Sequence, residues 1–239
     1  MKKKVEDHIR FLKTCETGFV TDALLLLKIN TGCWMDGVFS RRKGDHFVGQ
    51  AFTTQLSYID IDKDAAETTY YQDMVITRTD GLKIYTTYEI LGHIPKEFVW
   101  VIGGSNGGNS WGDKIYNCAY QHGVSAVVFD GTSRDNVRIS EGPLPMYCKG
   151  ISIRIDSSRL KWIDYNVPII CANANVKPGD IVMGDDDGVV VIPLEHLDEV
   201  MYQVEMVKEV DTLSDEAIKN HLSPMEVQNV IRKKAFPRK

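Results

Sequence analysis

The sequence predicts an α/β fold. A strand, helix and strand pattern covers residues 98–129, where "FVWVI" and "SAVVF" flank a segment with helical periodicity. The stretch "GDIVMGDDDGVVVIP" at 179–193 is typical of two strands joined by an acidic turn. Helical periodicity dominates near both ends. We therefore expect one domain over residues 1–239, with a core at about 17–200 and a C-terminal helical extension at about 194–239.

Composition restricts the class of protein. A chain of 239 residues with 43% hydrophobic and 26% charged residues is typical of a soluble globular protein. The net charge of -5 disfavours a nucleic-acid binder, which needs a basic face. The five cysteines form no CxxC pair, and the sequence has neither a signal peptide nor an 18-residue apolar run. We expect a cytoplasmic protein with no nucleic-acid or membrane partner.

The segment at 5–30 is predicted to be helical. Periodicity runs from 5 to 30, with a break expected near Gly18. A second helix is predicted to start at Thr21 and Asp22, because short polar side chains cap helix N-termini.

The next two segments differ in character. Residues 34–60 are rich in β-branched and aromatic residues and predict strands, with a bend or bulge at Gly49. Residues 62–92 are polar and are predicted to be partly helical.

The central unit gives the sharpest pattern. "FVWVI" at 98–102 is a continuous apolar run, as expected of a strand buried on both faces. The following helix is predicted to stop at Gly123, before the second buried strand at 125–129. A parallel βαβ unit of this kind has a right-handed crossover.

Ligands gather at the edge formed by the carboxyl ends of parallel strands. Loop 103–112 leaves the first strand and loop 130–136 leaves the second. We therefore expect Asp113, at the start of the helix, to lie near Arg134 and Asp135, although 20 residues separate Asp113 from Arg134.

Each of these charged residues has a simpler explanation when it is taken alone. Asp113 would complement the helix dipole, which contributes about 0.3 to 1 kcal/mol, and Arg134 with Asp135 would be surface charge. The loop "GGSNGGN" lacks the residues of a P-loop and the order GxGxxG. Together, however, the parts form a site: loop amides would bind a carboxylate, Arg134 would neutralise an oxygen, and the two aspartates would hold a hard divalent cation.

Other candidates are weaker. The run Asp185, Asp186 and Asp187 suggests a metal cluster, but a hairpin turn explains it better. The six histidines have no metal-ligand spacing. Because neither a Schiff-base lysine nor a Ser-His or Cys-His pair is evident, metal-assisted polarisation of a carbonyl is the better mechanism.

The segment "GGNSWGD", twenty residues and "RD" resembles the family that includes the regulator of ribonuclease activity A and the 4-hydroxy-4-methyl-2-oxoglutarate aldolases. Further matches support the resemblance over most of residues 17–200: "TDAL" at 21–24, "GQAFT" at 49–53, "PGD" at 178–180 and "DDDGVVVIP" at 185–193.

The resemblance implies a fold, an assembly and a reaction. The fold would be an αββα sandwich of the swivelling phosphohistidine-domain-like type, with helical N- and C-terminal extensions. The chains would form trimers or hexamers with active sites between subunits. The reaction would be that of a class II pyruvate aldolase, which cleaves 4-hydroxy-2-oxo acids to pyruvate and decarboxylates oxaloacetate as a side activity.

The resemblance also implies residue roles. Asp135 would coordinate Mg²⁺ or Mn²⁺, and Asp113 would hold a metal-bound water. Arg134 would bind the C2 oxygen of pyruvate, while the amides of Lys114 and Ile115 would take the carboxylate. The remaining substrate-binding positions would be in the loop, at Gly108, Asn109, Trp111 and Gly112. A glutamate from a neighbouring subunit's C-terminal helix would complete the metal shell, with Glu209 as candidate and Glu205 as substitute.

Two positions depart from the family pattern. Gly103 and Gly104 stand where an acid often ends the strand before the loop. Arg138 stands where the non-aldolase branch often carries an acid, which disfavours the ribonuclease-binding role of that branch. The alternative functions are a non-catalytic protein-binding regulator of a ribonuclease and a catalytically idle member of the family.

Overall fold

The computed structural model describes residues 2–59, 76–77, 83–156 and 159–235. The described helices are α1 (Lys2–Leu12), α2 (Thr17–Leu26), α3 (Thr87–His93), α4 (Asp113–His122), α5 (Asn136–Ser140), α6 (Leu197–Lys219) and α7 (Pro224–Ile231), with 3-10 turns at Leu194–His196 and Arg232–Ala235. The described strands are β1 (Phe39–Ser40), β2 (Phe47–Tyr58), β3 (Ile76–Thr77), β4 (Lys83–Ile84), β5 (Val99–Gly103), β6 (Asn109–Trp111), β7 (Ala126–Ser133), β8 (Met146–Ile151), β9 (Leu160–Tyr165), β10 (Ile169–Cys171), β11 (Ala174–Val176), β12 (Ile181–Asp185) and β13 (Gly188–Ile192).

The main sheet is mixed and strongly curled. Its order is β1-β8-β7-β5-β2-β12-β13, with β6 paired to β7 and β9 paired to β2. The centre, from β2 to β8, is parallel, and the outer strands are antiparallel. Trp34, just before β1, forms a bridge with Val190 of β13, so the two edges approach each other. The predicted mixed α/β class is confirmed, while the finer phosphohistidine-domain-like assignment stays a prediction.

The core explains why the two central strands are continuously apolar. Side chains alternate between the faces of a strand. In β5, Val99 and Val101 pack inside the curled sheet, whereas Trp100 and Ile102 pack on the outer face under α3 and α4. Because β7 alternates in the same way, both strands are covered on both faces.

The predicted βαβ unit is present as β5, α4 and β7. The two strands are parallel and directly hydrogen-bonded, with Val99 opposite Ala126. Helix α4 ends at Gly123, whose φ of 96° is in the left-handed region that glycine adopts without strain. The strand β6, inside the loop between β5 and α4, was not predicted.

The predicted start of α2 was wrong. The helix begins at Thr17 rather than at Thr21, and Gly18 lies in its first turn. The backbone N–H of Thr17 and its Oγ1 both donate hydrogen bonds to the Asp185 carboxylate, at 2.8 Å each. This contact between the helix and the β12–β13 turn is formed by residues distant in sequence, so local capping signals did not reveal it.

The glycine in β2 has a different role from the predicted one. The described register irregularity lies between Gln55 and Leu56, opposite β9, rather than at Gly49. A Cβ on Gly49 would lie 3.0 Å from a methyl group of Val99, so the glycine permits close packing of β2 against β5. Of the predicted partly helical segment 62–92, the structure describes residues 76–77 and 83–92, which contain β3, β4 and most of α3. The rest of this prediction lies outside the described residues.

The acidic run is a hairpin turn, as predicted. Asp185 and Gly188 pair across the turn between β12 and β13. The Asp185 carboxylate accepts hydrogen bonds from the backbone N–H groups of Thr17 and Asp187. The Asp186 carboxylate accepts one from the N–H of Gly44 at 2.8 Å. These acids therefore fix loops to one another.

The C-terminal region is helical, as predicted. One face of α6 packs with α2 over β12 and β13, and α7 begins with a capping box between Ser223 and Glu226. No helix in the described part of the chain is long and apolar enough to cross a membrane. The proposed limits of one domain with a C-terminal extension stay a prediction.

Candidate functional site

The edge where β5 and β7 end brings the predicted residues together. After β5 the chain passes through the glycine loop and β6, which runs parallel to the end of β7 with Trp111 opposite Ser133. Asp113 lies two residues beyond Trp111, and Arg134 directly follows Ser133. The pairing of β6 therefore places Asp113 beside the Arg134–Asp135 pair, as the sequence predicted.

A hydrogen bond joins the two acids of the site. The backbone N–H of Asp113 donates to Oδ2 of Asp135 at 3.0 Å. Asp135 has a φ of 59°, a left-handed conformation that aspartate tolerates better than most residues. A Cβ on Gly112 would lie 2.8 Å from the same Oδ2, so the close approach needs glycine at this position.

Arg134 extends along the same edge. Its Nε lies 3.7 Å from Oδ2 of Asp135, and its backbone N–H donates to the carbonyl of Trp111 at 3.2 Å. The side chain is partly exposed, so most donors of the guanidinium face solvent beside the loop. A ligand at this edge would therefore meet a positioned cation.

Asp113 is a buried carboxylate with two cationic neighbours. The residue is 8% exposed. Nη1 of Arg138 donates to its Oδ2 at 2.5 Å, and Nζ of Lys114 lies 3.7 Å from the same oxygen. The hydrogen bond from Arg138, followed by the charges of Lys114 and Arg138, outweighs partial burial and holds the pKa of Asp113 below its ordinary value. The carboxylate is therefore ionised at neutral pH.

The first turn of α4 presents two backbone amides. The N-cap residue, Gly112, has no side chain that could accept from them. The N–H of Asp113 is used by Asp135, and the N–H of Tyr116 by the carbonyl of Gly112. Between them, the N–H groups of Lys114 and Ile115 form no recorded hydrogen bond with a described residue. Such amides favour an anion at a helix N-terminus.

The glycine loop, residues 103–109, is held in place by hydrogen bonds to Asp130 of β7. This buried carboxylate accepts the N–H groups of Gly104 and Ser105 at 3.0 Å each, and the hydroxyl of Ser105 at 2.5 Å. Preorganised loop amides require such bracing. The sequence analysis missed Asp130, although its position at the end of the "AVVFD" strand was the available signal.

Three loop positions predicted to bind substrate are buried. Asn109 donates from its side chain to the carbonyl of Ser152 at 2.6 Å and accepts from the N–H of Trp111 at 3.1 Å. The Trp111 ring packs in the core against Trp100. Gly108 is also buried, so these residues would contribute backbone rather than side chains to a ligand site. Gly112 lies at the centre of the charged cluster.

The acids present suit a hard divalent cation that keeps several waters. Asp113 and Asp135 supply carboxylate oxygens, and Oδ1 of each accepts no recorded hydrogen bond from a described residue. Within the described residues, no group of three or more His, Cys, Asp or Glu side chains converges. The remaining ligands would be water, as is usual for Mg²⁺. Glu205 and Glu209 are exposed on α6.

The chain is similar to a known protein family and to several known proteins. A family model described as "RraA-like: Aldolase/RraA" matches residues 17–191. Protein DlpA of Legionella pneumophila is 26% identical over 216 residues, which cover 89% of this chain and 31% of DlpA. A Halalkalibacterium halodurans protein named "Putative 4-hydroxy-4-methyl-2-oxoglutarate aldolase" is 31% identical over 53% of this chain and 59% of its own length. The chain thus spans less than two thirds of either relative.

Solved structures share the fold. An uncharacterized Pseudomonas syringae protein superposes with a TM-score of 0.74 at 22% identity, over 93% of this chain and 97% of its own. Streptomyces coelicolor RraAS2, described as an unusual member of the RNase ES inhibitor RraA protein family, gives 0.72 at 22% identity, over 88% and 97%.

Proposed function

The chain belongs to the Aldolase/RraA family, and on that basis we propose that it is a divalent-metal-dependent lyase. It would cleave 4-hydroxy-2-oxo acids, such as 4-hydroxy-4-methyl-2-oxoglutarate, to pyruvate and a second carbonyl compound. The observation that carries the proposal is the convergence of Asp113, Arg134 and Asp135 beside two available amides at one sheet edge. A relative named for this aldolase activity supports it.

Substrate binding follows from the charges at the edge. The N–H groups of Lys114 and Ile115 would hold the carboxylate of the 2-oxo acid. The guanidinium of Arg134 would donate to the neighbouring C2 oxygen. When the bond between C3 and C4 breaks, its electron pair moves towards C2 and leaves negative charge on that oxygen. A positioned cation stabilises this developing charge and lowers the barrier by several kcal/mol.

Asp135 would hold Mg²⁺ or Mn²⁺, and Asp113 would hold a water in the metal shell. When bound, the metal acts as a Lewis acid at the C2 oxygen. The Asp113 carboxylate, through the water it holds, would take up the proton of the C4 hydroxyl as the second carbonyl compound forms, and return of this proton to C3 of the enolate would give pyruvate. Because loss of CO₂ from oxaloacetate leaves charge on the same oxygen, the site would also decarboxylate oxaloacetate. Glu209 of a neighbouring chain, or Glu205, would complete the shell.

The assembly and location belong to the same proposal. We expect a homotrimer or a pair of trimers in the cytoplasm. The exposed isoleucines at the end of β8 offer an apolar contact surface on each chain: Ile151, Ile153 and Ile155. The domain would comprise residues 1–239.

Pyruvate release from a panel of 2-oxo acids tests the function. Purified protein with Mg²⁺ is expected to release pyruvate from 4-hydroxy-2-oxo acids or from oxaloacetate, followed by coupling to lactate dehydrogenase. Arg134→Ala should lower kcat by about 10²-fold or more, because it removes a donor to the developing charge. The matched control is Arg10→Ala, which removes an exposed, ion-paired arginine on α1. If neither reaction exceeds the Arg134→Ala rate and EDTA changes nothing, the proposal fails.

A second candidate is a non-catalytic regulator that binds a ribonuclease. The description of RraAS2 as a member of an RNase inhibitor family favours it. Such a role would not need the charged edge. Co-purification of a ribonuclease that Asp135→Ala still binds, without pyruvate release by the wild type, would rank this candidate first.

A further inference from the structure

A cleft of about 880 Å³ opens at the mouth of the curled sheet. It lies near the carboxyl ends of the parallel strands, and the β10–β11 hairpin forms one wall. This volume is within the range of pockets that hold small molecules, about 300 to 1,000 Å³. The described residues that line the cleft do not include Asp113, Arg134 or Asp135, which form the charged edge. The cleft is therefore a separate candidate site for a small molecule.

The cleft and the charged edge lie on opposite faces of the main sheet. Lys149 of β8 lines the cleft and points to the same face as Tyr147, two residues earlier, which packs inside the curl. Helix α4, which begins at Asp113, packs on the outer face. The glycine loop runs between the two sites, and its exposed residue Asn106 lines the cleft. A ligand in the cleft would thus contact the glycine loop from the side opposite to α4.

Lys149 carries the one unbalanced charge among the described Asp, Glu, Lys and Arg side chains of the cleft. The carboxylate of Asp130 accepts three hydrogen bonds from the glycine loop, and that of Asp180 accepts two from backbone N–H groups. Lys177 is paired with Glu195 at 2.9 Å. The exposed ammonium of Lys149 makes neither a hydrogen bond nor an ion pair within the described part of the chain. The cleft therefore offers one free positive charge.

Neutral carboxamides lie beside this charge. The side chain of Asn106 makes no hydrogen bond with another described residue. Gln55 of β2 donates from Nε2 to the carbonyl of Leu56 at 2.7 Å, and its Oε1 accepts none from the described residues. A Cβ on Gly104 would overlap Nε2 of Gln55, so the departure from the family pattern at this position makes room for the amide. Because a carboxamide both donates and accepts hydrogen bonds, it suits hydroxyl groups.

We propose that this cleft binds a hydroxylated monocarboxylic acid, at a site separate from that of the 2-oxo acid. Lys149 would bind the carboxylate, since one free ammonium matches one negative group and a charge-assisted hydrogen bond is stronger than a neutral one. The carboxamides of Asn106 and Gln55 would bind hydroxyl groups along the chain of the acid. The ligand is thus selected both by its charge and by its hydroxyl groups.

Calorimetry with three matched six-carbon probes tests the inference. The probes are gluconate, glucitol, which lacks the carboxylate, and hexanoate, which lacks the hydroxyl groups. EDTA is present, so that binding of metal by gluconate contributes no heat. The wild type should bind gluconate about tenfold or more tightly than either of the other probes, because only gluconate can use both the ammonium and the carboxamides.

Two substitutions separate the contributions of charge and of hydrogen bonding. Lys149→Met keeps the length of the side chain and removes its charge, so it should weaken gluconate by about tenfold or more and leave glucitol unchanged. Asn106→Gly removes an amide at a φ of 49°, which glycine adopts without strain, and should weaken gluconate but not hexanoate. The matched controls are Lys219→Met, at an exposed position of α6, and Asn166→Gly, at an exposed position with a φ of 55°. Neither control residue lines the cleft.

The outcomes decide between the cleft and the charged edge. Absence of gluconate binding, equal binding of gluconate and glucitol, or unchanged gluconate binding in Lys149→Met would each overturn the inference. Loss of binding in Arg134→Ala, with Lys149→Met unaffected, would place the ligand at the charged edge and overturn it as well. A thermal midpoint for each variant distinguishes lost binding from lost folding. None of these outcomes depends on pyruvate release, so the lyase proposal can fail while the cleft binds gluconate, and the reverse.

Discussion

Asp113 is held by Arg138 in an ion pair that contributes to stability as well as to the site. The pKa of Asp113 in the folded protein is below that of the unfolded chain, which is about 3.9. The stabilisation is therefore fully present above about pH 4 and is lost as the pH falls through the folded-state pKa. Asp113→Asn should lower the free energy of unfolding in urea at pH 7, with a difference that narrows below pH 4.

The control for this pH dependence is Asp7→Asn, which alters an exposed carboxylate on α1. Asp7→Asn should change the free energy of unfolding only slightly, both at pH 7 and below pH 4, since exposed ion pairs contribute little. A difference between wild type and Asp113→Asn that stays constant from pH 7 to acid would show that the ion pair is not its source.

Gly112 is a position at which the site has no room for a side chain. Its φ of -160° is open to any residue, so Gly112→Ala should fold. The added methyl group would displace the Asp135 carboxylate and approach Nε of Arg134, at 3.3 Å. Pyruvate release should fall by roughly 10²-fold, because small misplacements of catalytic groups are costly.

The matched substitution is Gly92→Ala in α3, where a Cβ would meet nothing within 4 Å. This change should stabilise the protein by roughly 0.5 to 1 kcal/mol and leave activity unchanged, because alanine is the better helix former. Equal activity of Gly112→Ala and Gly92→Ala would contradict the assigned packing around Asp135.

The conformation of the glycine loop depends on hydrogen bonds to the Asp130 carboxylate of β7. Replacing this carboxylate by asparagine leaves one acceptor oxygen for the donors of Gly104 and Ser105. We expect Asp130→Asn to lower the free energy of unfolding by about 1 to 3 kcal/mol, as for other buried donors left without a partner. Denaturant unfolding measures this loss. Ser105→Ala should cost less, since both backbone donors keep their acceptor; an Asp130→Asn protein as stable as Ser105→Ala would contradict the bracing role.

The sequence predicted correctly those elements that are determined by residues close together in the chain. Strands β5 and β7 and the stop of α4 at Gly123 follow from apolar runs and a single glycine. The start of α2 at Thr17 depends on Asp185, which is distant in sequence, and so was misplaced. The contact of Arg138 with Asp113 was likewise not predicted. The spacing predicted that Asp113, Arg134 and Asp135 lie together at this edge, but not that an N–H group of Arg138 donates to Oδ2 of Asp113.

In the proposed assembly, each site contains Glu209 from a neighbouring chain. Arg134→Ala and Glu209→Gln should each be inactive alone, because each removes one side of a shared site. Mixed and reassembled, they should regain up to about a quarter of wild-type pyruvate release, the fraction of interfaces with both sides intact under random assembly. Light scattering should give a particle of three or six chains of 27.0 kDa. Activity that equals the sum of the separate variants would place the whole site within one chain.

The proposed reaction requires this sheet edge to stabilise a pyruvate enolate. The most direct measurement is the exchange of the methyl protons of pyruvate in D₂O, followed by ¹H NMR with Mg²⁺ present, because it needs no knowledge of the physiological substrate. The wild type should erase the methyl signal, while Arg134→Ala and Asp135→Asn should slow the exchange by about 10²-fold or more. Exchange by the wild type that is no faster than in Arg134→Ala would show that this edge does not stabilise the enolate.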